Sequence, residues 1–382
     1  MASKKRKSTA KAKAPVNSDR GLLFAVSGLA LLGVVAVYSA ITFLAETKAG
    51  GATGSFLFRH LAYTGAALTV MVAASQIDYH KLVRWAMPAL GITIGLLVFV
   101  QLAGVVSGGA TRWLRIGSFT LQPSEFARVA LLLHVAFLLA KKQAYIADFK
   151  FGFMPLLFWI LPVTVLIGAQ DLSTAALLFA TCTALCFVAR VRVLHLSGLF
   201  AVLAGLAVML LLVSPNRMQR VEAWIGKDLS AQTDQAEVMS DQAEGYQARQ
   251  AKIAIATGGL TGRGPGKSIQ RDFLPAPYND FIFAIVAEEY GLIGAGVLLA
   301  AFFFLLYRGF LTVAQRAPDP LGLFLGVGIT TTIVLYGLVN AGVAVGLLPV
   351  TGLPLPFVSY GGTALIANGA LMGVLLNVSK HR

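Results

Sequence analysis

Charged residues are scarce in this sequence: they make up 13% of its 382 residues, whereas 57% are hydrophobic. A soluble globular domain carries about 25% charged residues, so this scarcity excludes such a domain. Apolar runs recur along the chain, each near the ~20 residues that a helix needs to cross ~30 Å of hydrocarbon. Runs such as 156–168 and 175–189 do not alternate between apolar and polar residues, which excludes a membrane β-barrel.

Cysteine is almost absent as well. The only two cysteines, Cys182 and Cys186, lie within one apolar run, and neither a further cysteine nor a nearby histidine joins them. This pattern excludes a disulfide framework and a cysteine metal site. It predicts small core residues or lipid-facing residues at both positions.

Acidic residues number 17 against 31 basic residues, which gives a net charge of +14. Seven of the basic residues fall within residues 1–20. Such a segment is typical of a disordered cytosolic tail near anionic lipid, and it is too charged for the apolar core of a signal peptide. We therefore expect a contact with membrane lipid and no nucleic-acid partner.

The apolar runs predict an all-α fold, a polytopic membrane protein with ten transmembrane helices. Residues 21–382 form one membrane domain, in which a large structured outer loop, residues 215–279, separates spans seven and eight. The predicted spans are 21–45, 57–76, 86–105, 122–140, 153–169, 172–189, 194–214, 280–306, 321–345 and 361–378.

The basic residues of the short connections predict the orientation of these spans. Short cytosolic connections are enriched in Lys and Arg, and alternate connections here carry such residues. Both termini are therefore expected in the cytosol. The supporting residues are Lys81, Arg84, Lys141, Lys142, Lys150, Arg190, Arg192, Arg308, Arg316, Lys380 and Arg382.

Two connections on the predicted outer side, 108–125 and 215–279, are also basic. The first holds Arg112 and Arg115, and the second holds eight basic residues. Long loops translocate largely regardless of their charge, so the second does not contradict the orientation. An anionic ligand at the outer face explains both loops, and a solvated loop surface is the alternative.

Within the outer loop, 241–259 has helical spacing, and Gly258–Gly259 is expected to end that helix. The following stretch, "GLTGRGPGKS" (259–268), resembles a nucleotide-binding loop, but Thr261 stands where that pattern needs glycine. A flexible glycine hinge remains one interpretation. A backbone-amide cradle for a phosphate, assisted by Arg263 and Lys267, is the other.

Carboxylates stand at the edge of an apolar run in "FLPAPYNDFIFAIVAEEYG" (273–291). Asp280 is expected to start a helix, either as its N-cap or, if Asn279 caps instead, as a catalytic base facing a cleft. Glu288 and Glu289 lie about two turns deeper, where structural hydrogen bonds between helices are the expected role. Ionisable residues near membrane depth are functional candidates by default.

The segment "GLLPVTGLPLPFVSYGG" (346–362) places three prolines and four glycines between the last two spans. Irregular backbone near membrane depth is tolerated where protein or a watery cavity covers it. A re-entrant loop lining a cavity is one prediction, and an ordinary rigid turn is the other.

Four motifs together resemble the SEDS family, the shape, elongation, division and sporulation glycosyltransferases that include FtsW and RodA. They occupy residues 109–125, 245–268, 273–291 and 347–362, in the order and spacing of that family. The resemblance extends over the whole chain except the basic tail. It implies a polymerase of lipid II that builds peptidoglycan glycan strands at the outer face of the cytoplasmic membrane.

The resemblance also implies roles for particular residues. The family's essential aspartate corresponds to Asp280, and the tryptophan of its "RW" motif corresponds to Trp113. Its Gln-Pro-Ser-Glu motif corresponds to Gln122, Ser124 and Glu125, followed by a basic residue that is Arg128 here. One departure is "GAQDLSTA", where the family often has proline in place of Gln170, and this puts a detailed role for Asp171 in doubt.

The chemistry implied needs a base for the attacking sugar hydroxyl and positive charge for the departing pyrophosphate. Asp280 is the expected base. A divalent cation such as Mg²⁺ or Mn²⁺ is a further candidate for the charge, with no ligands assigned. The substrate-binding candidates are Trp113, Gln122, Ser124, Glu125 and Arg128, together with Arg112, Arg115, Arg217, Arg220, Lys267 and Arg271.

The expected partners are lipid II, the nascent glycan strand, a class B penicillin-binding protein that acts as transpeptidase, and other division proteins. The motifs favour FtsW-type members and hence septal synthesis. An elongation polymerase of the RodA type, a lipid II flippase and a non-enzymatic scaffold are the alternatives. The predicted polar residues gather near one edge of the membrane, whereas a flippase needs them at several depths.

Overall fold

The structure is a computed structural model that describes residues 18–48, 53–107, 110–116, 119–213, 218, 221, 235–274 and 276–381. The two ranges predicted as disordered tail and as the first part of the outer loop fall largely outside these residues, and so do Arg217 and Arg220.

Twelve helices are formed by the described residues, and each predicted span coincides with one of them. They are α1 (Arg20–Lys48), α2 (Thr53–Gln76), α3 (Tyr79–Arg84), α4 (Ala86–Ala103), α5 (Pro123–Lys142), α6 (Met154–Gln170), α7 (Leu172–Val188), α8 (Val193–Val213), α9 (Gln235–Gly258), α10 (Ile282–Tyr307), α11 (Pro320–Ala344) and α12 (Gly362–Lys380).

Nine of these helices are long and apolar enough to cross a membrane, as judged from the described part of the chain. The remaining predicted span, the sixth, coincides with α7, which is apolar but has 17 residues and so is at the lower limit of a spanning helix. The chain is therefore a multi-pass membrane protein. The polytopic helical prediction is confirmed, and the count of ten includes one short helix.

The centre of the bundle is formed by α5, α11 and α12, which are the most buried helices, whereas α8 packs on α7 at the rim and is mostly exposed. Close packing of α12 on α2 depends on small residues. A Cβ at Gly369 would lie 2.4 Å from the carbonyl oxygen of Ala67. The two backbones thus approach as in other membrane helix pairs with small residues at the contact.

Both described ends of the chain lie at one face of the bundle, here called the terminal face. The amide of Asp19 donates to Ser379 Oγ at 3.0 Å. The carboxylate of Asp19 also pairs with Arg308 at the end of α10, with an N–O distance of 2.6 Å. The opposite face, called the loop face, carries α9 and the irregular segment 346–361, here called the proline loop.

A small sheet on the loop face departs from the all-α prediction. Strands β1 (Val105–Ser107), β2 (Ala110–Ile116) and β3 (Phe119–Leu121) form antiparallel pairs in the order β1-β2-β3. β-Branched and aromatic residues are frequent in these strands, and such residues fit a pleated backbone. The correction concerns this connection and leaves the membrane part helical.

α10 is broken at Gly291, which has a φ of 68°. Residues 259–264 lie in the break: the amides of Leu292 and Ile293 donate to the carbonyls of Gly259 and Leu260 at 2.9 and 3.2 Å. A Cβ at Gly291 would lie 2.3 Å from the carbonyl oxygen of Leu260, so only glycine fits. The residues before the break form a separate short helix that starts beside Asp280.

Candidate active site

Asp280 is half-buried and stands two residues before α10. The cap position of that helix belongs to Phe281, whose ring offers no acceptor, so the N-cap prediction for Asp280 assigned it to the wrong position. Gly352 of the proline loop lies against the carboxylate: a Cβ there would be 3.7 Å from Asp280 Oδ2. The carboxylate therefore lies at the contact between two irregular segments.

Two hydrogen bonds attach the backbone around Asp280 to α11 and to the proline loop, and a third joins α11 to that loop. Asn340 Nδ2 donates to the carbonyl of Asp280 at 2.9 Å and to that of Leu353 at 2.7 Å. Ser359 Oγ donates to the carbonyl of Asn279 at 2.6 Å. Because the donors are buried and need a partner, these bonds hold the segment around Asp280 in one arrangement.

The proline loop itself is buried against α1. Phe357 and Val358 are almost fully buried, and a Cβ at Gly33 of α1 would lie 2.6 Å from the carbonyl oxygen of Phe357. Irregular backbone of this kind is stable at membrane depth because protein covers it. The arrangement favours the re-entrant prediction over an exposed turn.

Aromatic rings form one wall beside Asp280. The amide of Tyr360 donates to the carbonyl of Tyr278 at 2.9 Å, and the two rings meet edge to face with centroids 5.6 Å apart. His60 of α2 stacks on Tyr360 from the other side, also at 5.6 Å. Burial, followed by the nearby Asp280 carboxylate, raises the pKa of Tyr278, so its hydroxyl stays protonated.

A second polar group lies inside the bundle. Arg128 of α5 is fully buried, and its Nη2 donates to Glu125 at 2.5 Å and to Asn368 of α12 at 2.9 Å. Its Cζ lies 4.4 Å from the ring centroid of Tyr336 in α11. A buried charge must be paired, and here a carboxylate, an amide and an aromatic face share that role.

Arg112 of β2 pairs with Asp171, with an N–O distance of 3.2 Å. Asp171 also caps α7 by accepting from the amide of Thr174 at 3.1 Å. Glu125, which lies in the same motif as Arg112, pairs with Arg128 instead. Asp171, whose role was in doubt, therefore orients a predicted substrate-binding arginine.

We expect Arg112→Ala to raise the KM for the anionic substrate about 10-fold, because a hydrogen bond to a charged group is worth roughly 1.5–3 kcal/mol. Arg112→Lys should recover only part, since lysine lacks the planar fork. Asp171→Asn is the matched control: it removes the ion pair but keeps a residue able to cap α7. A wild-type KM for Arg112→Ala would reduce Arg112 to a loop-fixing role. Steady-state kinetics measure the KM, and thermal unfolding measures the stability of each variant.

Glu288 lies at the end of the stretch 259–268 that the sequence offered as a possible phosphate cradle. It is fully buried, and it accepts from Ser268 Oγ at 2.5 Å and from the amide of Ile269 at 3.0 Å. The amide of Arg263 donates to its carbonyl at 3.0 Å. The Glu288 carboxylate is therefore bound by Ser268, the last residue of the stretch 259–268, and by the backbone that follows it, and the phosphate cradle stays a prediction.

Glu289 connects the same region to α1, where it accepts a hydrogen bond from Ser39 Oγ. Arg271 adds a second contact with α1 by donating to the carbonyl of Ser39 at 3.0 Å. Glu289 thus has the inter-helix structural role that was predicted, whereas Glu288 holds a loop. Together they fix the segment 263–271 against the helix that begins beside Asp280.

The remaining predicted site residues are distributed as follows. Ser124 is buried at the start of α5 and Gln122 occupies the cap position of that helix. Trp113 is half-buried in β2, whereas Arg115 and Lys267 are exposed. The structure groups Glu125 with Arg128, and Arg112 with Asp171.

Sequence reasoning missed Asn340, Tyr336 and Asn368, which hold Asp280 and Arg128. Each lies within a long apolar run, where an amide or a hydroxyl is costly unless it has a partner. An amide within an apolar run therefore marked the two asparagines as candidates in the sequence. The sequence did not mark Tyr336, because a tyrosine in an apolar span is ordinary.

Among the described residues, no group of three or more His, Cys, Asp or Glu side chains is arranged to hold a metal. Mg²⁺ commonly binds through one or two carboxylates and the phosphates of a substrate. Asp280 is one such carboxylate, so a divalent cation arriving with a pyrophosphate fits the chemistry of this site, and a preformed protein cage does not.

Comparison with known proteins places these features in a family. Residues 20–382 match the family model FTSW_RODA_SPOVE, described as cell cycle protein. The chain belongs to this family. The match extends over every helix described above, so the FtsW/RodA/SpoVE fold accounts for the whole membrane domain, and the predicted resemblance is confirmed.

Individual members of the FtsW/RodA/SpoVE family are similar along their full length. Stage V sporulation protein E of Bacillus subtilis is 38% identical over 370 residues, which cover 94% of this chain and 97% of the relative. A probable peptidoglycan glycosyltransferase FtsW of Geobacter metallireducens is 37% identical over 364 residues, covering 94% of each chain.

Two solved structures share the fold. A chain from a peptidoglycan synthase complex that coordinates polymerization and crosslinking superposes with a TM-score of 0.76 at 28% identity, covering 95% of this chain and 97% of the other. The rod shape determining protein RodA of Thermus thermophilus superposes with a TM-score of 0.68 at 28% identity, covering 95% and 97%.

Proposed function

We propose that this protein is a peptidoglycan glycosyltransferase that polymerises lipid II. The observation that carries the proposal is Asp280, a half-buried carboxylate held at a fixed place by α11 and the proline loop. It lies in a chain similar over 94% of its length to a probable peptidoglycan glycosyltransferase.

In the proposed reaction a sugar hydroxyl attacks C1 of a lipid-linked sugar, and the bond between C1 and the pyrophosphate oxygen breaks. Asp280 accepts the proton of the hydroxyl as the new glycosidic bond forms. The polyprenyl pyrophosphate leaves with the electron pair, and the anomeric centre is inverted. Pyrophosphate departs without protonation, so a single carboxylate is enough, unlike in glycoside hydrolysis.

The positive groups of the site serve the leaving group. Arg112 is partly exposed, and among the described residues it is paired with Asp171, so we take its other donors as available to a phosphate. Arg128 is deeper and paired, and it adds a fixed positive charge in a medium of low dielectric. Both arginines support developing negative charge on the pyrophosphate.

Polymer formation from purified lipid II by the full-length protein with its transpeptidase partner tests this function. Glycan chains made without movement of lipid across the bilayer support the polymerase. Lipid movement without polymer would support the flippase alternative. For the biological role we propose septal synthesis, and depletion distinguishes it from elongation, because filaments indicate division and round cells indicate elongation.

We propose that the loop face is outside the cell and the terminal face is in the cytosol, because the short basic connections follow the positive-inside pattern. The test replaces Cys182 and Cys186, then introduces cysteine at Ala256 of α9 or at Ala144 of the short helical turn Gln143–Tyr145, both exposed positions. In intact spheroplasts an impermeant thiol reagent should label only the cysteine at 256. Equal labelling would refute this orientation.

We propose that a class B penicillin-binding protein packs its membrane helix against α10. Leu292, Ile293 and Val297 are exposed there, and a side chain at Gly296 would meet open space. Small residues let a partner helix approach closely. The presence of a fold relative in a peptidoglycan synthase complex supports such a partner.

Gly296→Leu should abolish co-purification with the transpeptidase, because the added side chain separates the two helices, while thermal stability stays unchanged. Gly294 is unsuitable for this test, since a Cβ there would lie 2.3 Å from Cβ of Tyr290. Gly91→Leu on α4 is the matched control, because that glycine also faces open space. Co-purification that survives Gly296→Leu would exclude this surface.

A further inference from the structure

Two side chains on one face of α11 hold the two halves of the proposed site. Tyr336 and Asn340 are four residues apart, so they lie one turn from each other on the same side of the helix. The ring of Tyr336 lies 4.4 Å from Cζ of Arg128. Asn340 donates to the carbonyl of Asp280 at 2.9 Å. The cation and the carboxylate are therefore attached to successive turns of one buried helix.

We propose that Tyr336 and Asn340 are positioning residues that fix the spacing between Arg128 and Asp280. The inference rests on the proposed function, because it takes these two residues as the charge and the base of the reaction. Neither positioning residue touches the reacting atoms. The spacing matters because misplacing a catalytic group by about 1 Å can reduce the rate about 10²-fold.

The contacts of Asn340 are unusual for a structural amide. One NH₂ group donates both of its hydrogens to carbonyls of two separate segments, at Asp280 and at Leu353 of the proline loop. Gly352, next to Leu353, lies against the Asp280 carboxylate. Asn340 therefore fixes the base and the backbone beneath it together. Leucine has a similar volume and would pack in an apolar helix without the desolvation penalty of an amide.

The contact of Tyr336 fixes an Arg128 side chain that is fully buried and has two donors with no partner in the described residues. Nη2 of Arg128 is used by Glu125 and Asn368, and the ring covers a face of the guanidinium. Nε and Nη1 have no acceptor within the described ranges of the chain. A ring against the flat face fixes the plane of the guanidinium and hence the direction of these two donors, which suits an oxyanion such as a phosphate oxygen.

The test compares Asn340→Leu with Asn377→Leu. Asn377 is also a buried amide, and it donates to the carbonyl of Ser75 and accepts from the amide of Tyr79, both at 2.9 Å, but at the terminal face. We expect both variants to lower the unfolding temperature. Only Asn340→Leu should lower kcat for polymerisation of purified lipid II, by about 10²-fold with KM little changed. Equal effects on kcat would overturn the proposal.

Asn340→Gln keeps the amide and provides a second variant if Asn340→Leu does not fold. Its extra methylene moves both donors by about 1 Å, so kcat should again fall about 10²-fold, and a wild-type kcat would overturn the proposal. Tyr336→Leu should lower kcat, and Tyr336→Phe should restore it because the ring face remains.

Asp280→Asn separates failure of this inference from failure of the proposed function. If Asp280→Asn polymerises normally, the proposed base is wrong. If it is inactive while Asn340→Leu retains wild-type kcat, the spacing inference alone is wrong.

Discussion

Asp280→Asn should abolish glycan polymerisation while the protein folds and binds its partner normally. A general base typically contributes ~10²–10⁴-fold to the rate, and an amide cannot accept the proton of the sugar hydroxyl. The substitution is nearly isosteric, and it leaves in place the hydrogen bond from Asn340 to the backbone carbonyl of Asp280. The expected change therefore falls on kcat and spares the unfolding temperature.

Polymer made from purified lipid II by the full-length protein with its transpeptidase partner measures this effect. Asp280→Glu serves as the companion variant: it keeps a carboxylate but displaces it by about 1 Å, enough to reduce the rate about 10²-fold. Near-wild-type polymer from Asp280→Asn would refute Asp280 as the base.

Arg128→Met should destabilise the protein by about 3–5 kcal/mol, because it leaves Glu125 charged, buried and unpaired. Both side chains are almost fully inaccessible, at 0% and 2% exposure, so solvent screens this charge little. The double variant Glu125→Gln with Arg128→Met removes both charges and should recover most of the thermal stability. Thermal unfolding of the purified variants in detergent measures the difference.

Activity of the double variant separates the structural from the functional role of the pair. Polymerisation should remain low although the protein is folded, since the fixed positive charge near the leaving group is gone. A double variant that polymerises at the wild-type rate would show that the pair serves stability alone.

The membrane helices could be predicted from sequence because hydropathy and length alone decide whether a segment spans a bilayer. The start of α6 at Met154 and the end of α8 at Val213 lie one residue from the predicted limits. The β-strands around Trp113 were missed, since short strands in a connection depend on pairing partners that a local pattern does not reveal. Asp280 was found from its place at the edge of an apolar run and from the resemblance, whereas its position one residue before the cap was not predicted.

The supporting contacts could not be predicted for a different physical reason. Asn340 donates hydrogen bonds to the carbonyl of Asp280, 60 positions earlier, and to that of Leu353. The local sequence around each of these residues does not specify that they lie close together. Glu288 was expected to bond another helix, yet it binds the amides at 269 and 270, directly after the stretch 259–268 that the sequence offered to a phosphate. A carboxylate and a phosphate satisfy the same amide donors, so the loop sequence alone does not tell them apart.

The break in α10 has a consequence for the order in which the protein is assembled. Residues 259–264 leave the ribosome before the helix that receives them, because Gly291 comes about 30 positions later. Their hydrogen bonds to Leu292 and Ile293 therefore form only after α10 has been synthesised. Domains acquire structure from the N-terminal side during synthesis, but residues 259–264 become ordered only once the later residues Leu292 and Ile293 are present. Truncation before Gly291 should leave it open to protease, and extension through α10 should protect it.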